Sequence, residues 1–180
     1  EEAQFLFEKS VKKQTLVNKI RKSKYKKAVK DMELVSVAIP VEATVFLLPK
    51  ILDAVGQNTL VIDMGSTKTA ICESVAQHPK REQFLACHPI AGTEFSGPQA
   101  AIRNLYKDKV NMLCETHKTR PELLERARSI FTNLGMQLRE IEPIAHDRHI
   151  AYVSHLSHIT SFMLGKTVME KEEDEQNIFD

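Results

Sequence analysis

The strongest constraint on this chain is an alternation. From Leu34 onward, short β-branched and apolar runs trade places with longer stretches of helical character. Strands separated by helices pack as a mostly parallel sheet covered on both faces. Leu34–Ile39 is the first such run, stopped by Pro40, a residue tolerated in a first helical turn. Val41–Val55 then reads as an apolar helix with a kink or break at Pro49. The pattern next predicts a strand over Thr59–Asp63, a turn at Met64-Gly65-Ser66 and a helix over Thr67–Gln77. Further strands are expected at Phe84–Cys87, Lys109–Cys114 and Met136–Ile141, with a helix over Pro121–Leu134 that Gly135 ends. After Pro143 the alternation gives way to one long helical stretch reaching to about Glu170.

A chain of 180 residues can bury one full core, or one domain and part of a second. Its net charge of +1 argues for no polyanionic partner, but the charge is unevenly spread. Residues 9–30 carry ten Lys and Arg and no acid, while Glu170, Glu172, Glu173, Asp174 and Glu175 form an acidic run. A nucleic-acid arm would need aromatics for stacking, and only Phe5, Phe7 and Tyr25 lie near the basic block. A solvated helix face or loose leader is therefore the favoured reading, with no nucleic-acid partner. No apolar stretch approaches the ~20 residues that cross a bilayer. Cys72, Cys87 and Cys114 form no C-x-x-C pair and are expected as buried thiols in a reducing compartment. Together these features point to a soluble, cytoplasmic protein.

Chemistry is concentrated in the histidines. Five of the seven fall in two stretches: His88, which opens His88-Pro89-Ile90-Ala91-Gly92-Thr93-Glu94, and His146-Asp147-Arg148-His149 with Ser154-His155-Leu156-Ser157-His158. Imidazole titrates nearest neutrality and is the usual general base. In a parallel α/β sheet, chemistry gathers outside the carboxyl ends of the strands. Ile39-Pro40, Asp63–Ser66 and Cys87-His88 all stand at such ends. Gly65 in Asp63-Met64-Gly65-Ser66-Thr67-Lys68 permits close backbone approach, and amides beyond it would suit an anion or the polar edge of a cofactor. His155 and His158, and likewise His146 and His149, lie three apart on one helical face, a spacing that can ligate metal. The His146-Asp147 pair resembles that of metal-dependent phosphohydrolases. Those enzymes are all-helical, and the α/β pattern up to residue 141 disfavours a metal here.

Taken in order, Val37-Ala38-Ile39-Pro40-Val41, Asp63–Lys68, His88–Glu94 with Ser96-Gly97, His146-Asp147 and Ser154–His158 resemble successive motifs of the prephenate dehydrogenase family. The resemblance runs from about residue 31 to the end. It implies an α/β fold, an incomplete Rossmann-like parallel sheet followed by the start of an all-helical dimerisation domain. It also implies NAD-dependent oxidative decarboxylation of prephenate to 4-hydroxyphenylpyruvate in tyrosine biosynthesis. Arogenate is the neighbouring substrate and NADP the neighbouring cofactor; the sequence separates neither pair. By motif match His88 is the base for the ring hydroxyl. Ser66 orients His88 and lies beside the nicotinamide, and Ala38, Ile39 and Pro40 line the cofactor site. Thr93 and Glu94 sit at the pocket mouth, His158 contacts substrate, and His146 and Ser154 help shape the pocket.

Three departures accompany the resemblance. Family members open with a strand and a G-x-G-x-x-G turn that cradles the cofactor pyrophosphate, whereas residues 1–30 contain no glycine. They continue into a helical domain that forms the dimer and supplies an arginine for a substrate carboxylate. Ser157 stands where many have proline. The expected organisation is a basic leader at 1–30, a nucleotide-binding α/β domain at 31–142 without the usual glycine-rich first unit, and the start of a helical domain at 143–180. That makes the chain the middle of an enzyme that is a homodimer when complete. The alternative is a non-catalytic remnant serving as a binding module.

Overall fold

A computed structural model describes residues 24–92, 101–155 and 159–167. Thr93, Glu94 and His158 fall outside these residues. The chain divides into two compact units, Glu1–His146 and Asp147–Asp180.

The first unit is a five-stranded sheet in the order β1-β2-β3-β4-β5, formed by Leu34–Val37, Leu60–Asp63, Phe84–Pro89, Val110–Cys114 and Gln137–Glu140. Neighbours β1/β2, β2/β3 and β4/β5 are parallel. The β3/β4 pair is antiparallel, with His88 opposite Met112 and Pro89 opposite Asn111. Among its described residues the connection from Pro89 to Val110 holds no helix. A parallel return needs a long crossover, commonly helical, whereas a chain that turns back lies antiparallel. The parallel-dominated Rossmann-like sheet is thus present, with one reversed pair that strand composition alone does not reveal.

Side chains alternate across the sheet and build two cores. Val37, Val61, Phe84, Ala86 and Cys114 face helices α2 (Val41–Ala54) and α3 (Thr69–Ser74), which follow the short helix α1 (Lys24–Val29). Leu60, Ile62, Leu85, Cys87 and Leu113 face α4 (Pro121–Asn133) through Leu123, Ala127 and Phe131. Helix α2 buries Thr44, Leu48, Ile51 and Leu52, one stripe at helical spacing. Pro49 lies inside α2 without ending it. The proline removes one backbone donor, but Leu48, Ile51 and Leu52 bury the helix on either side of it. Helix α3 is shorter than the periodicity predicts, starting at Thr69 rather than Thr67. Ser66, Thr67 and Lys68 therefore belong to the turn.

Beyond β5, helix α5 (Pro143–Ile150) passes into one π-helical turn at Ala151–His155, and residues 159–167 are again helical. The described residues of the stretch expected to be helical after Pro143 are thus helical from Pro143 on, with one turn of π type. The division between the two units falls inside α5. In the second unit Tyr152, Val153, Ile159, Phe162, Met163 and Leu164 are exposed. No helix among the described residues is long and apolar enough to cross a membrane.

Candidate functional site

The carboxyl ends of β1, β2 and β3 lie side by side, because these three strands are parallel neighbours. Asp63 ends β2 and is fully buried. Its carboxylate accepts hydrogen bonds from the Gly65 amide at 2.9 Å and the Cys87 amide at 3.1 Å, and from the ammonium of Lys68. Lys68 is also fully buried, and its Nζ donates to the Cys87 carbonyl at 2.6 Å. Both backbone polar groups of Cys87, its N–H and its C=O, are thus held, one residue before His88. Burial pushes the Asp63 carboxyl up from its ordinary range, while Lys68 and the two amides pull it back. The Gly65 amide itself is turned inward to Asp63. The ideal Cβ of residue 65 would meet Ile71 Cδ1 at 3.0 Å and Asp63 Oδ2 at 3.2 Å, which explains a glycine there.

His88 follows in the last turns of β3 and is half-buried. Its Nδ1 lies 2.9 Å from Nε2 of His146. The rings meet edge to face, with centroids 5.1 Å apart and planes at 71°. His146 sits on α5 with its amide bonded to the Glu142 carbonyl at 2.8 Å, and only 1% of it is exposed. Residues 58 apart in sequence therefore join in one hydrogen bond. Ser66 is exposed at the β2 turn.

At the end of β1, Ala38 and Pro40 are exposed and Ile39 is half-buried. These small and apolar surfaces and the exposed Ser66 stand at the carboxyl ends of the neighbouring strands β1 and β2. Ser154 belongs to the π-helical turn, and its side chain is outside the described residues, like the whole of Thr93, Glu94 and His158. Cys72, Cys87 and Cys114 are free and buried. Burial pushes the Cys72 thiol up to about 12 and Cys87 well above its usual value, so neither is a nucleophile at neutral pH. Among the described residues no three His, Cys, Asp or Glu side chains gather in a set that could hold a metal.

The sequence matches the prephenate dehydrogenase nucleotide-binding domain over residues 7–140 and the prephenate dehydrogenase dimerization domain over residues 142–180. The chain belongs to the prephenate dehydrogenase family. It is 30% identical to the prephenate dehydrogenase of Bacillus subtilis over 138 residues, 76% of this chain and 37% of that protein. The fold is similar to Aquifex aeolicus prephenate dehydrogenase, with a TM-score of 0.69 and 28% identity over 77% of this chain and 50% of that one. The same enzyme solved with hydroxyphenyl propionate and NAD+ gives a TM-score of 0.65, covering 77% of this chain and 48% of that one at 28% identity. Synechocystis arogenate dehydrogenase gives a TM-score of 0.65 at 28% identity, over 82% of this chain and 51% of that chain. The chain thus spans about half or less of the length of these family members.

The sequence reading singled out His88 and His146, which the structure brings together. It did not find the clamp of Asp63 and Lys68 on the Cys87 backbone. Both residues stand in a motif that was noticed, but a lysine on a helix start reads as exposed until the turn that buries it is known.

Proposed function

We propose that the protein carrying this chain is a prephenate dehydrogenase, which converts prephenate to 4-hydroxyphenylpyruvate and carbon dioxide as a step of tyrosine biosynthesis. The observation that carries this reading is the placement of His88. It stands at the carboxyl end of β3, beside the β1 and β2 ends, with the backbone of Cys87 clamped before it and its Nδ1 against His146. NAD, when bound, supplies the acceptor for the hydride that leaves the hydroxyl-bearing ring carbon. Ala38, Ile39 and Pro40 line its site and Ser66 lies beside the nicotinamide. His88 takes the proton of the ring hydroxyl at Nε2. Loss of the ring carboxylate then makes the ring aromatic, so much of the driving force resides in the substrate. The family resemblance assigns Thr93, Glu94, Ser154 and His158 to substrate binding. The family match of residues 142–180 supports a homodimer.

A second reading, arogenate dehydrogenase, is favoured by the likeness to the Synechocystis enzyme. The ring chemistry is shared and only the side-chain amine differs. The test supplies purified protein with prephenate or arogenate, and with NAD or NADP, and follows formation of reduced cofactor. Turnover of prephenate with NAD supports the first reading, and preference for arogenate supports the second. No turnover of either substrate removes both and leaves a binding module. Calorimetry with NAD then decides whether that module still holds the cofactor.

A further inference from the structure

Two imidazoles in one hydrogen bond must differ in role, because one nitrogen donates and the other accepts. Nδ1 of His88 and Nε2 of His146 share such a bond at 2.9 Å. We propose that His146 is a positioning residue: its Nε2 accepts from the Nδ1–H of His88 and so holds His88 in the tautomer whose Nε2 can take a proton. The inference rests on the reading of His88 as the base and reassigns His146 from shaping the substrate pocket to acting through His88.

The opposite polarity is incompatible with the chemistry. If His146 donated, Nδ1 of His88 would be the acceptor and the His88 proton would sit on Nε2, where the substrate hydroxyl proton has to go. Burial agrees with the assignment. At 1% exposure His146 presents almost no surface to a ligand, whereas half-buried His88 stands at the strand end. The edge-to-face arrangement also fixes the plane of the His88 ring, and thus the direction of Nε2. When His88 takes the proton, its Nδ1–H bond to His146 becomes charge-assisted and shortens. His146 must remain neutral throughout, since two imidazolium rings would aim N–H groups at each other. A neutral acceptor also differs usefully from the carboxylate that orients many catalytic histidines. A substrate bearing two carboxylates would be repelled by a third negative charge behind the base.

The test compares His146→Leu, which fills similar space without an acceptor, with His146→Gln, whose amide oxygen accepts. For the purified protein, kcat and KM are measured with prephenate and NAD, and 15N shifts of the His88 ring are recorded without substrate. The expected result for His146→Leu is a fall in kcat of roughly 10–100-fold at unchanged KM, within the ~10²–10⁴-fold that a general base supplies. His146→Gln restores most of the rate. The 15N shifts show His88 protonated on Nδ1 in wild type and in His146→Gln, and shifted toward Nε2 protonation in His146→Leu. A raised KM at unchanged kcat, a Gln variant no better than Leu, or Nε2-protonated His88 in wild type overturns the proposal. If His146→Leu does not fold, the wild-type shifts and the Gln variant still decide. Wild-type protein that turns over neither substrate but shows the Nδ1-protonated His88 sinks the proposed reaction while supporting the pairing.

Discussion

Lys68 is a full charge with no exposure, and a buried ammonium is tolerated only when paired and hydrogen-bonded. Here Asp63 and the Cys87 carbonyl meet both needs. Removing one partner of such a pair leaves the other charge buried without its counter-ion, which costs about 3–5 kcal/mol. Lys68→Met should therefore lower the unfolding free energy by roughly that amount, and Asp63→Asn combined with it, which removes the unpaired charge and keeps an acceptor for the backbone amides, should recover part of the loss. Urea denaturation of the three proteins checks this; a single variant as stable as wild type would show that the pair carries little. His88 invites a different kind of change. His88→Asn leaves stability nearly intact but should lower kcat by ~10²–10⁴-fold with little change in KM, as expected for a group acting mainly in the transition state. Steady-state kinetics at neutral pH read this directly, and an unchanged kcat takes His88 out of the mechanism.

At the scale of elements, Gly135 shows how a single residue ends one. It follows α4 with φ +76, and its amide bonds to the Thr132 carbonyl while the Met136 amide bonds to that of Phe131. This is the left-handed glycine termination of a helix, and it turns the chain directly into β5. Gly135→Ala should cost about 1–2 kcal/mol, the price of placing a Cβ in the left-handed region. A shift in the urea midpoint at constant slope checks it. Such punctuation is why much of the fold was legible in sequence: Pro40 before α2, Pro121 at the start of α4 and Gly135 after it each act locally. Strand identity was legible too, since β-branched runs alternate core faces at period two. The reversal of β4 was not, because an antiparallel return depends on the path of residues 90–109 rather than on strand composition. The shortening of α3 was hidden for a related reason. Lys68 is drawn under the turn by Asp63 and Cys87, so the helix starts one residue after it. The His88–His146 bond joins residues 58 apart on different elements, and no local spacing encodes it.

Across the whole first unit, chemistry and acid-sensitive ion pairing occupy different places. The histidine pair stands by the carboxyl ends of β1–β3, while Glu115 follows the end of β4, beyond the pairing of Ala86 with Cys114. Glu115 has φ +50 and receives Nη2 of Arg81 at 2.8 Å and Nζ of Lys118 at 2.5 Å. Burial alone would push its carboxyl up, but the hydrogen bonds and charges of Lys118 and Arg81 outweigh that and hold it below 4.5. A carboxyl whose folded pKa is depressed contributes stability that is present above its unfolded pKa and lost as pH falls through the folded one. Asp63 is shifted the other way, so the pH dependence of wild type alone mixes opposing contributions. Comparison with Glu115→Gln cancels every group except Glu115. The variant should be less stable than wild type at neutral pH by about 1–3 kcal/mol, the value of hydrogen bonds to a charged acceptor. The two stability curves should draw together as pH falls below the ordinary carboxyl range and converge only once it has passed the lowered folded pKa of Glu115, where the wild-type carboxyl is itself protonated. With the histidine pair untouched, kcat at neutral pH should match wild type. Denaturation at a series of pH values decides the matter: a constant gap between the curves would mean that Glu115 acts through packing rather than charge.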